Sequence, residues 1–232
     1  MLYGPSKVKA RVAKGEWVTI RETTDYPFRE KIKFTIQAES DVEFPFHLRI
    51  PQWCKSHKIT VNGALQNHEV IENIVVLNRE WKPGDVVELY LAMDFRFSRW
   101  NEKSLGIERG PLVYALKIEE EWREITKKGY DDTFWEVLPK SPWNYAILKK
   151  AVEEGDFNIE VNEEVKSNPW NLENAPIRVI TKGIRVPEWK EEKGSAGVIP
   201  WRPRLVGDHH EEEIVLIPYG CSTLRISQFP VH

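Results

Sequence analysis

The chain has 232 residues, with 33 Lys plus Arg against 36 Asp plus Glu, a net charge of −3. That balance excludes the strongly basic footprint of a nucleic-acid binder, and 41% hydrophobic with 30% charged residues excludes a disordered chain. No apolar run approaches the ~20 residues that span a bilayer, and Met1 to Arg11 has no apolar signal-peptide core, so a soluble protein without membrane or nucleic-acid partners is expected, its localisation open with the cytoplasm favoured.

Short β-branched and aromatic runs recur between turn signals, which predicts an all-β protein. Trp17–Arg21 and Lys31–Ile36 alternate in polarity. Phe44–Ile50 alternates too, placing Phe44, Phe46, Leu48 and Ile50 on one face. Pro45 lies on the opposite face and moves that strand towards a sheet edge. Lys58–Gly63 runs into Asn62-Gly63, a strong hairpin signal. Ile74–Leu77 is a short apolar strand. Trp81-Lys-Pro-Gly-Asp85 makes a turn, and Val86–Leu91 follows as a strand.

The polar segment Asn101–Ser104 is the expected linker. Beyond it, strands are predicted at Gly110–Leu116, Phe134–Leu138, Tyr145–Leu148, Phe157–Val161, Ile177–Thr181, Ile214–Ile217 and Cys221–Ile226. Ile118–Thr126, with Glu119-Glu-Glu121, reads as a short helix. Glu188–Pro203 and Val206–Glu213 read as long polar loops. The expectation is therefore two tandem antiparallel β-sandwiches, residues 1–103 and 104–232.

Groups for chemistry are sparse. A glycosidase needs two carboxyl groups across the bond, yet most acids run together, as in Glu119–Glu121, Glu191-Glu192 and Glu211–Glu213, like solvated faces. Glu108 is more isolated, at a strand entrance, and reads as a salt-bridge partner of a neighbouring strand before it reads as a catalytic acid. His209-His210 with Glu211 is a weak metal candidate, because adjacent strand residues point to opposite faces. Cys54 and Cys221 are too few for a disulfide framework and read as free structural thiols. HExxH, CxxC, GxGxxG and GxSxG are all missing from the sequence.

Tryptophan is the outlier, at 10 residues. Trp135, Trp143, Trp170, Trp189 and Trp201 fall mostly beside prolines, at strand ends or in loops. Such indoles stack on sugar rings, or they plug the ends of sandwiches and pack on other domains.

A set of ordered segments carries a resemblance over almost the whole chain. They are Leu48-Arg-Ile-Pro-Gln-Trp-Cys54, Val61-Asn-Gly63, Trp81-Lys-Pro-Gly-Asp85, Gly106-Ile-Glu-Arg-Gly-Pro-Leu-Val-Tyr-Ala115, Trp135–Ala146, Arg185-Val-Pro-Glu-Trp189 and Leu216–Ile226. Together they resemble the C-terminal part of the β-L-arabinofuranosidases of glycoside hydrolase family 127. The resemblance implies β-sandwich domains that follow a catalytic (α/α)6 barrel. In that family a zinc-bound cysteine is the nucleophile and a glutamate the acid/base, with zinc held by a glutamate and three cysteines, two of them adjacent. This sequence has no adjacent cysteines, so no catalytic residue, metal ligand or cofactor carries over. Leu2–Val8 resembles the segment just after the barrel, which implies that the chain begins where the catalytic domain stops.

A domain that packs on a barrel keeps an apolar face, and Tyr3, Trp53, Trp100 and Trp143 are its candidates. Trp170, Trp189 and Trp201 join them as candidates for carbohydrate contact or barrel contact. The resulting expectation is a non-catalytic accessory region of a β-L-arabinofuranosidase-like enzyme, with the barrel as partner and an arabinose-containing glycan as ligand. The alternatives are an independent carbohydrate-binding module and an autonomous hydrolase using Glu108.

Overall fold

The computed structural model describes residues 3–126, 129, 132–203 and 210–232. They fall into two units, Met1–Asp94 and Phe95–His232.

The first unit is built from β1 (Ser6–Val12), β2 (Glu16–Thr24), β3 (Lys31–Gln37), β4 (Val42–Arg49), β5 (His57–Val61), β6 (Ala64–Leu65), β7 (Ile74–Trp81) and β8 (Val86–Leu91). An antiparallel sheet of order β1-β2-β3-β8-β5-β6 faces the pair β4-β7. On β4 burial alternates strictly, with Phe44, Phe46 and Leu48 inside. Pro45 sits outside, opposite Asn78 in the two-stranded sheet, where its missing N–H is tolerated. Phe34 from the large sheet meets Phe46 edge-on at 5.3 Å, and Phe46 meets Trp81 at 6.0 Å. This aromatic contact joins the two layers of a sandwich. Trp81 is wholly buried and its Nε1–H donates to the Phe44 carbonyl at 2.9 Å.

Two turns of this unit are tied together. Asn62 and Gly63 both take positive φ, 50° and 82°, as a tight hairpin turn requires. Asn62 Nδ2 donates to Asp85 Oδ1 at 2.8 Å, and Asn62 Oδ1 accepts the Val86 N–H at 2.9 Å. Asp85 Oδ2 accepts the Lys82 N–H at 2.9 Å, closing the second turn. Burial opposes ionisation of Asp85, but these hydrogen bonds and the charges of Arg79 and Lys82 outweigh it and hold the pKa below its ordinary value.

A histidine pair pins the chain after β6 to the start of β5. His68 Nδ1–H donates to the Gln66 carbonyl at 2.9 Å, so its Nε2 accepts the His57 Nε2–H at 2.8 Å. Burial, and then the nearby His68, push the His57 pKa below its ordinary value. The folded state therefore resists a proton that the unfolded chain takes up at about pH 6.5. Stability of the first unit is expected to fall as pH drops below about 6.5, and His57→Gln should flatten that slope in urea melts between pH 7 and 5. Identical slopes in both proteins would refute the assignment.

The second unit contains β9 (Phe95–Arg99), β10 (Leu105–Arg109), β11 (Leu112–Leu116), β12 (Glu120–Ile125), β13 (Phe134–Pro139), β14 (Tyr145–Ile147), α1 (Lys149–Glu154), β15 (Asn158–Val161), β16 (Ile177–Arg185), β17 (Glu191–Glu192), β18 (Ser195–Ala196), β19 (Glu211–Pro218) and β20 (Gln228–Phe229). The main sheet has the order β14-β16-β19-β11-β10-β20, with β15 beside β16 and β9 beside β10. Val231, just past β20, bridges back to Ile147 of β14, so the two ends of that order meet. Among the described residues the unit is all-β apart from α1 and short 3-10 turns.

Four local expectations change. Glu211–Glu213, expected to end the Val206–Glu213 loop, open strand β19, and residues 206–209 of that loop lie outside the described residues. Asn101–Lys103 is a 3-10 turn within the β9–β10 hairpin, not a linker, and the division falls before Phe95 because β9 pairs along its whole length with β10. Ile118–Thr126 holds strand β12 in place of a helix, since every residue from Glu120 to Ile125 pairs with β13. The segment after Cys221 is irregular. Its Ser222 hydroxyl donates to the Leu224 carbonyl, and the last strand is Gln228–Phe229.

Candidate functional site

The seven aromatic candidates divide between the two units, Tyr3 and Trp53 in the first and the other five in the second. Tyr3 and Trp53 are half-buried and pack against the first core. The Tyr3 hydroxyl donates to the Arg49 carbonyl at 2.6 Å, and burial first, followed by the carboxylate of Glu22, raises its pKa. Trp143 packs edge-on against Trp189 at 5.2 Å. Trp189 itself is only 2% exposed, and its Nε1–H donates to the Gly197 carbonyl at 2.9 Å. It is therefore a core residue that anchors the Glu188–Pro203 segment, and it offers no face for a sugar or a partner. That segment carries the β17–β18 hairpin, turned through Lys193 and Gly194 at positive φ.

Three candidates remain exposed. Trp100 lies beside Gly106, with its Nε1–H donating to Ser98 Oγ at 2.9 Å. Trp201 is flanked by Lys103 Nζ at 4.8 Å and the Arg202 guanidinium at 4.9 Å, so cations already occupy its ring. Trp170 lines an open cleft of about 440 Å³ in the second unit. Trp122 lines the same cleft, as do Asn171, Glu173, Thr223 and Arg225.

Side-chain hydrogen bonds fix the walls of this cleft. Glu120 Oε2 accepts the Trp122 Nε1–H at 3.1 Å, while its Oε1 accepts the N–H groups of Thr223 and Leu224 at 2.8 and 3.1 Å. One carboxylate thus fastens the β12–β13 hairpin to the loop before β20. Trp122 also meets Trp135 edge-on across the hairpin at 6.3 Å. Asn171 Oδ1 accepts the N–H groups of Glu173 and Asn174, which shapes the turn after Trp170. Trp122 is not among the sequence candidates because the acidic run around it reads as helical. The alternation Glu120-Trp122-Glu124 is the signal that marks one face of a strand there. A neighbouring cleft of about 310 Å³ is lined by Trp143, Glu136, Glu191 and Arg225.

Other groups with potential chemistry are structurally committed. Glu108 Oε2 accepts from Arg96 at 2.8 Å on the adjacent strand, which removes the isolated acid that an autonomous hydrolase required. Cys54 Sγ donates to the Ser56 carbonyl and Cys221 Sγ to the Pro169 carbonyl, at 3.1 and 3.3 Å. Burial raises both thiol pKa values, that of Cys221 to about 11. These are protonated thiols in separate units, and they do not fit a thiolate zinc site. Among the described residues no three His, Cys, Asp or Glu side chains gather as metal ligands. His209 lies outside the described residues.

Residues 1–93 match the family described as the middle domain of the GH127 β-L-arabinofuranosidases. The resemblance read from the sequence is to the C-terminal part of such enzymes, whereas the matching description is that of a middle domain. Among solved structures, the chain is similar to a GH127 β-L-arabinofuranosidase from Geobacillus stearothermophilus T6, at 23% identity and a TM-score of 0.65, covering 100% of this chain and 33% of that one. It is also similar to a GH127 β-arabinofuranosidase, at 20% identity and a TM-score of 0.65, covering 100% of this chain and 34% of that one. A third structure, described as a glycoside hydrolase, is 22% identical with a TM-score of 0.61, covering 99% and 35%. The chain thus spans about a third of the length of the structures whose fold it shares. No curated protein sequence matches.

Proposed function

We propose that this chain is a non-catalytic accessory region of a β-L-arabinofuranosidase-like glycoside hydrolase, supporting an (α/α)6 catalytic barrel that lies outside residues 1–232. The observation that carries this reading is the coincidence of two limits. The family match covers residues 1–93, and the first unit runs from Met1 to Asp94. The match therefore takes in a complete sandwich and not a stray motif. The commitment of Glu108 to Arg96 and of both thiols to backbone carbonyls also fits a supporting role.

The reading is tested by assaying an aryl β-L-arabinofuranoside, with added zinc, in the presence and absence of a separately expressed barrel domain. The chain alone is expected to give no turnover. Mixing is expected to yield activity or to raise the melting temperature of the barrel, since a partner bound only to the folded state stabilises it. Turnover by the chain alone, or no change on mixing, would overturn the reading.

A further inference from the structure

Two half-exposed indoles, Trp122 at 51% and Trp170 at 45%, line one cleft of the second unit. Both are held before any ligand arrives. Glu120 fixes the Trp122 edge, and the Gly220 backbone lies against the six-membered ring of Trp170, where a Cβ would stand 2.8 Å from Cε3. Arg225 is held as well, with Nε–H donating to the Ser222 carbonyl at 2.7 Å and its guanidinium over the Tyr219 ring at 4.7 Å. Rigid aromatic walls lose little entropy on binding, which is how exposed indoles become binding anchors.

We propose that this cleft binds a neutral saccharide, with Trp122 and Trp170 stacking on the C–H faces of sugar rings. The chemistry of the lining selects that class. The two aromatic walls stand beside the carboxylates of Glu120 and Glu173, the Arg225 guanidinium and the Thr223 hydroxyl, while the Asn171 amide is tied to its own turn. Acidic and basic groups are mixed, so the cleft has no single sign of charge to attract an ion. Instead it offers both donors and acceptors, as a ligand carrying many hydroxyls needs. Its volume of about 440 Å³ lies in the ordinary ~300–1,000 Å³ range of small-ligand sites. The site rests on geometry alone and does not depend on a catalytic partner.

The test is affinity electrophoresis of the full chain in gels containing soluble arabinan, arabinoxylan or β-glucan, followed by calorimetry with oligosaccharides of any retarding polymer. At least one polymer is expected to retard the chain. Trp122→Ala and Trp170→Ala should each weaken binding about tenfold or more, and Gly220→Ala, which displaces the Trp170 ring, should weaken it severalfold. Trp170→Phe should retain part of the affinity. Trp17→Ala removes an equally exposed indole of the first unit and should change nothing. Matching far-UV spectra will establish that each variant is folded. Absence of retardation in every gel, or equal retardation of the wild type and both alanine variants, would overturn the proposal. So would a result in which these variants abolish only the response to a barrel domain, because the cleft would then be a protein interface. Binding by the isolated chain needs no turnover, so failure here is distinct from failure of the accessory reading.

Discussion

Trp81→Ala is expected to destabilise the first unit by about 3–5 kcal/mol, the usual cost of emptying a buried Trp site. Trp81 is fully buried, touches both Phe44 and Phe46, and donates to the Phe44 carbonyl. Its removal leaves a cavity at the junction of the two layers and takes a donor from a buried acceptor. Whole domains are stable by only about 5–15 kcal/mol, so the first unit should unfold at far lower urea. Trp81→Phe fills most of the volume but loses the N–H, and a smaller loss of about 1–3 kcal/mol is expected. Urea unfolding of the full chain, followed by far-UV circular dichroism, measures both. An unchanged first transition in Trp81→Ala would contradict this account of the core.

Asn62→Ala is expected to cost about 2–4 kcal/mol, from two lost hydrogen bonds and an alanine forced to positive φ. Asn62 satisfies Asp85 and Val86 together while itself holding φ at 50°. The variant should also change the response to acid. In the native protein the lowered Asp85 pKa contributes stability that is present above about pH 3.9 and lost as pH falls through the folded value. Without the Asn62 amide that pKa rises towards normal, and the acid-dependent part of the stability shrinks. Asn62→Gly separates the two causes, because it relieves the backbone and still loses both bonds. Melting curves from pH 7 to pH 3 on the three proteins provide the check, and parallel curves would refute the role given to Asp85.

The sequence made much of the first sandwich legible. Alternation over Phe44–Ile50 and Lys31–Ile36 gave the inward faces, since side-chain direction in a strand has a fixed period of two. Asn62-Gly63 and Trp81–Asp85 announced two turns because their residues tolerate the required backbone angles. Their mutual hydrogen bond was not legible, because it joins side chains 23 positions apart. The unit boundary was hidden for a similar reason. The polar Asn101–Ser104 run looks like a linker locally, and only the pairing of Phe95–Arg99 with β10 shows it to be a hairpin tip. The β12 strand was masked by its acidic residues, whose preference for helix gave way to pairing with β13. Among the tryptophans, Trp170 and Trp189 occupy similar local contexts beside turn residues. One lines an open cleft and the other is a core plug, a difference set by packing that no local pattern records.

The way the second unit closes also bears on how the chain acquires its structure. Leu105 and Gly106, near the start of that unit, pair with Gln228 and Phe229, and Ser104 donates to Gln228 across 124 positions. Pairings of such long range are slow to form, because the intervening loop must lose its freedom before any contact compensates. The β1-β2-β3 meander of the first unit joins neighbours in sequence and faces no such delay. During synthesis the first sandwich can form while residues beyond Asp94 are still emerging. The second must wait for Gln228 and Phe229, and until then the strand edge of Leu105–Gly106 stays open to wrong partners. That interval is where misassembly of this chain is expected to concentrate.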